Sequence, residues 1–311
     1  MSEPAKVLII DDSAVARQTL KNILSEDPEL EVVGTAPDAL IALKKISELN
    51  PDVLTLDVQM PKMDGLTFLE RLMKSRPMPV VMVSSYTQEG SETAMRSLEL
   101  GAVDIIEKPK FEVREGLNEI AILITDKVKA AAQAKMKTAR QIFMQTSPKQ
   151  STEVVLPKTT GKRKAAGQEP LIAIGASTGG TEVLREILSS LPPNLPGIVI
   201  VQHMPKAFTG SFANSLDRVS ELEIKEAEDG DRVESGKALL APGDAHMILK
   251  TRGSSYQAQL DTGELVNRHR PAVDVLFRSV ASIAGSAAVG VILTGLGNDG
   301  AQGMTEMHDQ G

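Results

Sequence analysis

The chain has 311 residues, enough for two domains of ordinary size that each bury a core. Its 41% hydrophobic and 24% charged content is that of a globular protein, and no apolar run approaches a membrane span, which argues against membrane insertion. It contains no cysteine, which excludes disulfides, thiolate nucleophiles and cysteine-ligated metals, and a net charge of -7 argues against a nucleic-acid partner.

The opening MSEPAKVLIIDD has too few apolar residues before Asp11 and Asp12 for a signal-peptide core, so a cytoplasmic location is expected. Residues 7–10 read as a buried strand, followed by a helix periodic in Ala16, Leu20, Ile23 and Leu24. Val32 and Val33 mark a second strand, and Leu40, Leu43 and Ile46 a second helix. Residues 53–56 and 80–83 are apolar on both faces, as parallel strands covered by helices must be. A fifth strand at 104–106 and a helix near 112–130 complete a five-stranded doubly wound α/β domain over residues 1–125.

Residues 126–168 lose this rhythm and include most of TSPKQSTEVVLPKTTGKRKAAGQEP, rich in Pro, Thr, Ser and Lys, which predicts a flexible linker. Lys158, Lys162, Arg163 and Lys164 make it basic, the mark of a solvated tether or an anionic docking site. A second, larger Rossmann-like α/β domain is expected over 169–311. Its strands fall at 171–174, 198–201 and 289–293, with helices at 183–188 and 273–283. Turn signals between 223 and 261 predict shorter or antiparallel strands there.

In an open parallel sheet, chemistry collects at the carboxyl ends of the strands. Asp11 and Asp12 end the first strand and Asp57 ends the third, a carboxylate cluster suited to a hard divalent ion such as Mg²⁺. Ser84 ends the fourth strand and Lys108 the fifth. A nucleophile, a hydroxyl and a cation around such an ion supply what phosphoryl transfer to an aspartate needs. Asp11-Asp12, the run DVQMPKMDG starting at Asp57, Ser84 and Lys108-Pro109 together resemble the response-regulator receiver family over roughly residues 5–125. The resemblance implies that Asp57 is the phosphoacceptor, that Asp11 and Asp12 hold Mg²⁺ with it, that Ser84 is the switch hydroxyl and that Lys108 pairs with the phosphoryl group. Ile105 stands where many receivers carry an aromatic switch residue.

GASTGG at 175–180 follows an apolar strand and precedes a helix. As G-x-S-x-G it is a nucleophile elbow that exposes Ser177; as a G-x-G-x-x-G loop it lacks the middle glycine, and the next strand ends in Gln202-His203 rather than an acid. Ser177 could also serve only as a helix N-cap. His203 stands where a general base for a neighbouring strand's serine belongs, and Asp299, just past the strand at 289–293, could orient its imidazole. The chain order Ser, His, Asp differs from that of the α/β-hydrolases.

The blocks IGASTGG, IVIVQHMP, LLAPGDAHM, NRHRPAVDVLFRSVA and VILTGLGNDGAQGM resemble the chemotaxis response-regulator protein-glutamate methylesterases. This implies Ser177 as nucleophile, His203 as base and Asp299 as its orienter, with a backbone N–H near Leu296 at the oxyanion and Thr178 and His269 lining the site. His246 and His308 carry no functional expectation. The implied reaction is hydrolysis of γ-glutamyl methyl esters on chemoreceptors, with glutamine deamidation at the same sites, no esterase cofactor, and phosphorylation of the receiver by a chemotaxis histidine kinase. A DNA-binding regulator would need a helix-turn-helix effector, which the Gly-rich turns after 171 argue against, and a purely binding scaffold leaves the Ser, His and Asp unexplained. The resemblance also implies a few dozen further residues after GNDGAQGM; a truncated chain should then show a frayed two-turn helix at 301–307, a loosely held Asp299, an unprotected sheet edge and reduced activity.

Overall fold

Four successive residues, Val7, Leu8, Ile9 and Ile10, lose all solvent contact, because the strand that carries them is covered by helices on both faces. The computed structural model describes residues 3–84, 88–108, 117–134, 155–156, 169–253, 255–295 and 297–311. It divides into two units, 1–142 and 143–311.

The first unit alternates β1 (Ala5–Ile10), α1 (Ala14–Ser25), β2 (Leu30–Ala36), α2 (Ala39–Leu49), β3 (Val53–Asp57), α3 (Gly65–Ser75), β4 (Val80–Ser84), α4 (Gln88–Glu99), β5 (Asp104–Glu107) and α5 (Leu117–Gln133). Its five strands are parallel in the order β2-β1-β3-β4-β5. Short polar residues start the helices: Ser13 caps Ala16 N, Asp38 caps Ile41 N and Asp64 caps Thr67 N. Asp64 therefore has a structural job within the DVQMPKMDG run. Leu20, Leu24, Val53, Val81, Ile106, Ile124 and Val128 form one core cluster. Ile105, at the position of the aromatic switch in many receivers, is buried with 1% exposure.

The second unit runs β6 (Leu171–Ala176), α6 (Gly180–Ser190), β7 (Gly197–Gln202), α7 (Lys206–Asp217), β8 (Glu223–Glu226), β9 (Arg232–Val233), β10 (Lys237–Leu240), β11 (His246–Arg252), β12 (Ser255–Asp261), α8 (Val273–Ile283), β13 (Ala288–Ile292) and α9 (Ala301–Gln310). The main sheet is parallel, in the order β13-β6-β7-β10-β8. The broken stretch between 223 and 261 divides its strands: β8 and β10 join the main sheet, while β11, β12 and β9 make a small antiparallel one. The chain leaves β6 toward β7 on one side and returns as β13 on the other. The switch point of the sheet, where ligands collect, therefore lies at the carboxyl end of β6.

The expected linker is corrected at two places. Helix α5 continues to Gln133, eight residues past the expected boundary at 125, because Val128 and Ala131 still face the first core. Val155 and Leu156 are not a solvated tether: they pack against Ile248, Val266, Ala272 and Val275 of the second unit, and Leu156 O accepts a 2.9 Å bond from Arg278 Nη1. The remaining linker residues, the basic group from Lys158 to Lys164 included, lie outside the described residues.

The C-terminal expectation is also corrected. Helix α9 runs to Gln310 rather than Met307. Tertiary packing supplies what a short helix lacks: Met307 joins the core with Val273, Phe277 and Val280, and Arg278 Nε donates to Glu306 Oε2 at 2.8 Å. The expected open edge is present, since β13 flanks the sheet with Val289 and Ile292 exposed.

Candidate active site

Ser177 follows β6 directly, and its backbone is held on both sides: Ser177 N donates to Thr294 O at 2.9 Å, and Ser177 O accepts from Gly180 N at 2.7 Å and from Gln202 Nε2 at 2.9 Å. The N-cap of α6 is Gly179, at φ 77, and no side chain caps the helix. Ser177 is thus not the helix cap, and its hydroxyl is left for His203. Gly295 permits the close approach of the loop after β13, since a Cβ there would sit 2.6 Å from Ser177 Cβ.

His203 follows β7, with its N bonded to Ala176 O at 3.1 Å. Its Nδ1 lies 3.0 Å from Ser177 Oγ and its Nε2 lies 2.8 Å from Asp299 Oδ2. The imidazole of His269 stacks on it, centroids 3.7 Å apart and planes 11° from parallel. The short loop holding His269 is closed by reciprocal backbone bonds with Val266.

Asp299 is far from loosely held. Oδ2 also accepts from Val273 N at 2.7 Å, and Oδ1 accepts from Asn267 Nδ2 at 2.8 Å and Asp274 N at 3.1 Å. Two of these donors are first-turn amides of α8, where the helix dipole favours an anion. Burial alone would raise the carboxyl, but the hydrogen bond and charge of His203, with His269 and Asn267, outweigh it and hold Asp299 well below the usual carboxylate range. An ionised carboxylate only accepts, so His203 Nε2 carries a proton, and in the neutral imidazole the lone pair is then on Nδ1, facing Ser177 Oγ. Beside it, Asp274 is pushed up to about 6, by burial first and then by the charge of Asp299.

Ser177, His203, Asp299 and His269, each expected at the site, meet in one place. Thr178 adjoins it, its carbonyl accepting from Thr294 Oγ1 at 3.2 Å, and Leu296 lies outside the described residues. His246 is buried and structural, bonded to Glu264 O and Ala272 N, with its pKa lowered by burial. Asn267, Asp274 and Gln202 were missed. All three lie inside the blocks that carry the family resemblance, but no spacing rule marks an amide as a partner of a carboxylate 32 residues away.

In the first unit, Asp57 at the end of β3 pairs with Lys108, Nζ to Oδ2 2.7 Å, and Lys108 Nζ lies 3.1 Å from Asp11 Oδ2. Carboxylate oxygens of Asp11, Asp12 and Asp57 lie within 4.8 Å of one another, with Asp11 and Asp57 buried and Asp12 exposed. The buried Asp11 Oδ2 faces the Lys108 ammonium, and an all-oxygen donor set of three clustered carboxylates fits a hard divalent cation. Burial raises Asp57 to about 6, against the lowering hydrogen bond from Lys108; the charge of Asp11 raises it further. Ser84 is buried at the end of β4, one residue past Val83, the partner of Asp57 in register, and its carbonyl accepts from Lys108 N at 2.8 Å.

A family model described as CheB methylesterase matches residues 172–311, and one described as response regulator receiver domain matches residues 7–121. A protein-glutamate methylesterase/protein-glutamine glutaminase of Oleidesulfovibrio alaskensis is 50% identical over 311 residues, all of this chain and 87% of that protein. One from Thiobacillus denitrificans is 53% identical over 306 residues, 98% of this chain and 84% of the relative. A crystal structure of the Thermotoga maritima CheB methylesterase catalytic domain is 44% identical, covering 46% of this chain and 77% of that one with a TM-score of 0.45. Half of all positions shared with these relatives along the whole chain, in two domains of matching kind, assign it: the chain belongs to the CheB methylesterase family, with a receiver domain ahead of the methylesterase domain.

Proposed function

We propose that the chain is a phosphorylation-regulated protein-glutamate methylesterase that hydrolyses γ-glutamyl methyl esters on chemoreceptors, releasing methanol, and deamidates glutamine at the same kind of site. The observation that carries the reading is His203 bridging Ser177 Oγ and Asp299 Oδ2 at 3.0 and 2.8 Å. His203 Nδ1 takes the hydroxyl proton as Ser177 Oγ attacks the ester carbonyl, and the imidazolium is stabilised by ionised Asp299. The proton passes to the departing methanol, and water, activated by the same nitrogen, cleaves the acyl-enzyme. A backbone N–H near Leu296 helps to stabilise the oxyanion, and Thr178 and His269 line the site. An amide in place of the ester follows the same course, with ammonia leaving.

In the receiver, Asp57 is the phosphoacceptor, served by a chemotaxis histidine kinase in the cytoplasm. Asp11, Asp12 and Asp57 hold Mg²⁺, which neutralises phosphoryl charge when bound. Lys108 pairs with the phosphoryl group and Ser84 is the switch hydroxyl. Methanol release from methylated receptor, measured with and without a phosphodonor, tests the whole reading: release should depend on Ser177 and rise with the phosphodonor. Undiminished release by Ser177→Ala would overturn it.

A further inference from the structure

Asn267 occupies a position that its neighbours make chemically demanding. It sits in the left-handed region at φ 52, followed by Arg268 at φ 70, where asparagine is tolerated better than most side chains. Its Nδ2 donates to Asp274 Oδ2 at 2.7 Å and to Asp299 Oδ1 at 2.8 Å. One amide nitrogen has two hydrogens, and both are spent here. The two carboxylates it joins are buried, with Asp274 3% exposed and the Asp299 side chain 4%. Without a donor between them they would repel in a medium that screens poorly. A flipped Asn267 amide would aim its oxygen at both carboxylates, so the carboxamide can stand only one way round.

Asp274 has a further tie. Its Oδ1 accepts from Gly303 N at 2.7 Å, joining the first turn of α8 to the start of α9, the helix that directly follows Asp299. The turn carrying Asp299 is therefore tied to Asp274 through Gly303 N and Asp274 N and to Asn267 through Asp299 Oδ1. None of these contacts is to Ser177 or His203; Asp299 is the triad residue that both touch.

We propose that Asn267 and Asp274 are positioning residues of the esterase: the Asn267 carboxamide, bridging the Asp274 and Asp299 carboxylates, sets the plane of Asp299 and through it the ring and tautomer of His203. This rests on the reading of Ser177, His203 and Asp299 as the triad. A rotated Asp299 would release His203 Nε2–H, and the lone pair on Nδ1 would no longer be held toward Ser177 Oγ.

The test is steady-state methanol release from methylated receptor by the full-length chain. Asn267→Asp keeps the shape and the left-handed backbone but turns two donors into acceptors beside two carboxylates. Its kcat should fall about 10²-fold, the scale of a small misplacement at a catalytic centre, with KM changed less than about twofold. Asn267→Gly keeps the backbone and adds no charge, and should lose on the order of tenfold. The double variant Asn267→Asp with Asp274→Asn removes the third negative charge, and should recover about tenfold over Asn267→Asp alone. A residue that only shapes the turn would leave kcat untouched in both Asp and Gly variants, and that result overturns the proposal. A double variant no better than Asn267→Asp overturns the part given to Asp274. Should Asn267→Asp fail to fold by its melting curve, Asn267→Gly decides, and wild-type kcat in it overturns the proposal. Ser177→Ala run in parallel separates the two levels: activity retained there overturns the triad reading and this role with it, whereas an inactive Ser177→Ala beside fully active Asn267 variants overturns the positioning role alone.

Discussion

His203 meets Asp299 through Nε2, at 2.8 Å from Oδ2, and so offers Nδ1 to Ser177 Oγ at 3.0 Å. Asp299 is held well below the usual carboxylate range, and a carboxylate that stays ionised can only accept, so the nitrogen facing it carries a proton.

Removal of any one triad member should stop the acyl transfer as a unit. Ser177→Ala and His203→Ala are each expected to lower kcat by about 10⁴-fold or more, and the double variant to lose little beyond either single one. Asp299→Asn, which offers an amide to Nε2 and allows the other tautomer, should fall by about 10⁴-fold. Additive losses in the double variant, read by methanol release, would contradict a shared mechanism.

The receiver pocket predicts a single phosphorylation site. Acetyl phosphate with Mg²⁺ should add one labile phosphoryl group, seen by intact mass, and Asp57→Asn should remove it. Equal labelling of Asp57→Asn would place the acceptor on another residue.

Asp57 also predicts how stability depends on pH. Burial raises its carboxyl from 3.8 to about 6. A folded-state value above the unfolded one means the folded chain holds the proton more readily, so ionisation weakens the fold as pH rises between those values. The whole penalty stands above the folded pKa and vanishes below the unfolded one. Without divalent metal at pH 7.5, Asp57→Asn should melt about 5 °C above the native receiver, the scale of 1 kcal/mol in a domain of this size, and the gain should disappear toward pH 4. Adding Mg²⁺ should reverse the order, because a cation held by the native carboxylates stabilises only the folded state that binds it. A melting temperature of the native protein that ignores Mg²⁺ would count against the metal site.

Val155 and Leu156 predict that the choice of fragment matters. A catalytic fragment starting at Glu169 loses two half-buried side chains and leaves Arg278 Nη1, buried with 1% of its residue exposed, without the Leu156 carbonyl. Burial of that kind stabilises by about 1 kcal/mol or more per side chain, and the lost bond to the Leu156 carbonyl adds about the same again. A fragment starting at Phe143 should therefore melt at least about 5 °C higher than one starting at Glu169. If the receiver mainly obstructs the serine site, the longer fragment should exceed the unphosphorylated whole in turnover and ignore a phosphodonor. Equal melting of the two fragments would show that the Val155 and Leu156 contact contributes nothing.

What the sequence alone determined about this protein is local in origin. Apolar runs such as 7–10, 53–56, 171–174 and 198–201 are legible as buried strands from the residues themselves, and the few residues after each run must fall at a strand end. Asp11, Asp57, Ser177 and His203 could be placed that way before any tertiary contact was known. The tertiary structure alone decided the rest, because it depends on contacts between residues distant in the chain. Which nitrogen of His203 faces Asp299 is set across 96 positions, and Asn267 reaches Asp299 across 32. Leu156 meets Arg278 across 122, which a proline- and lysine-rich stretch does not advertise. Helix α9 looked too short to persist because its own turns are few; it persists because Met307 and Glu306 find α8, a partner that no pattern along α9 names.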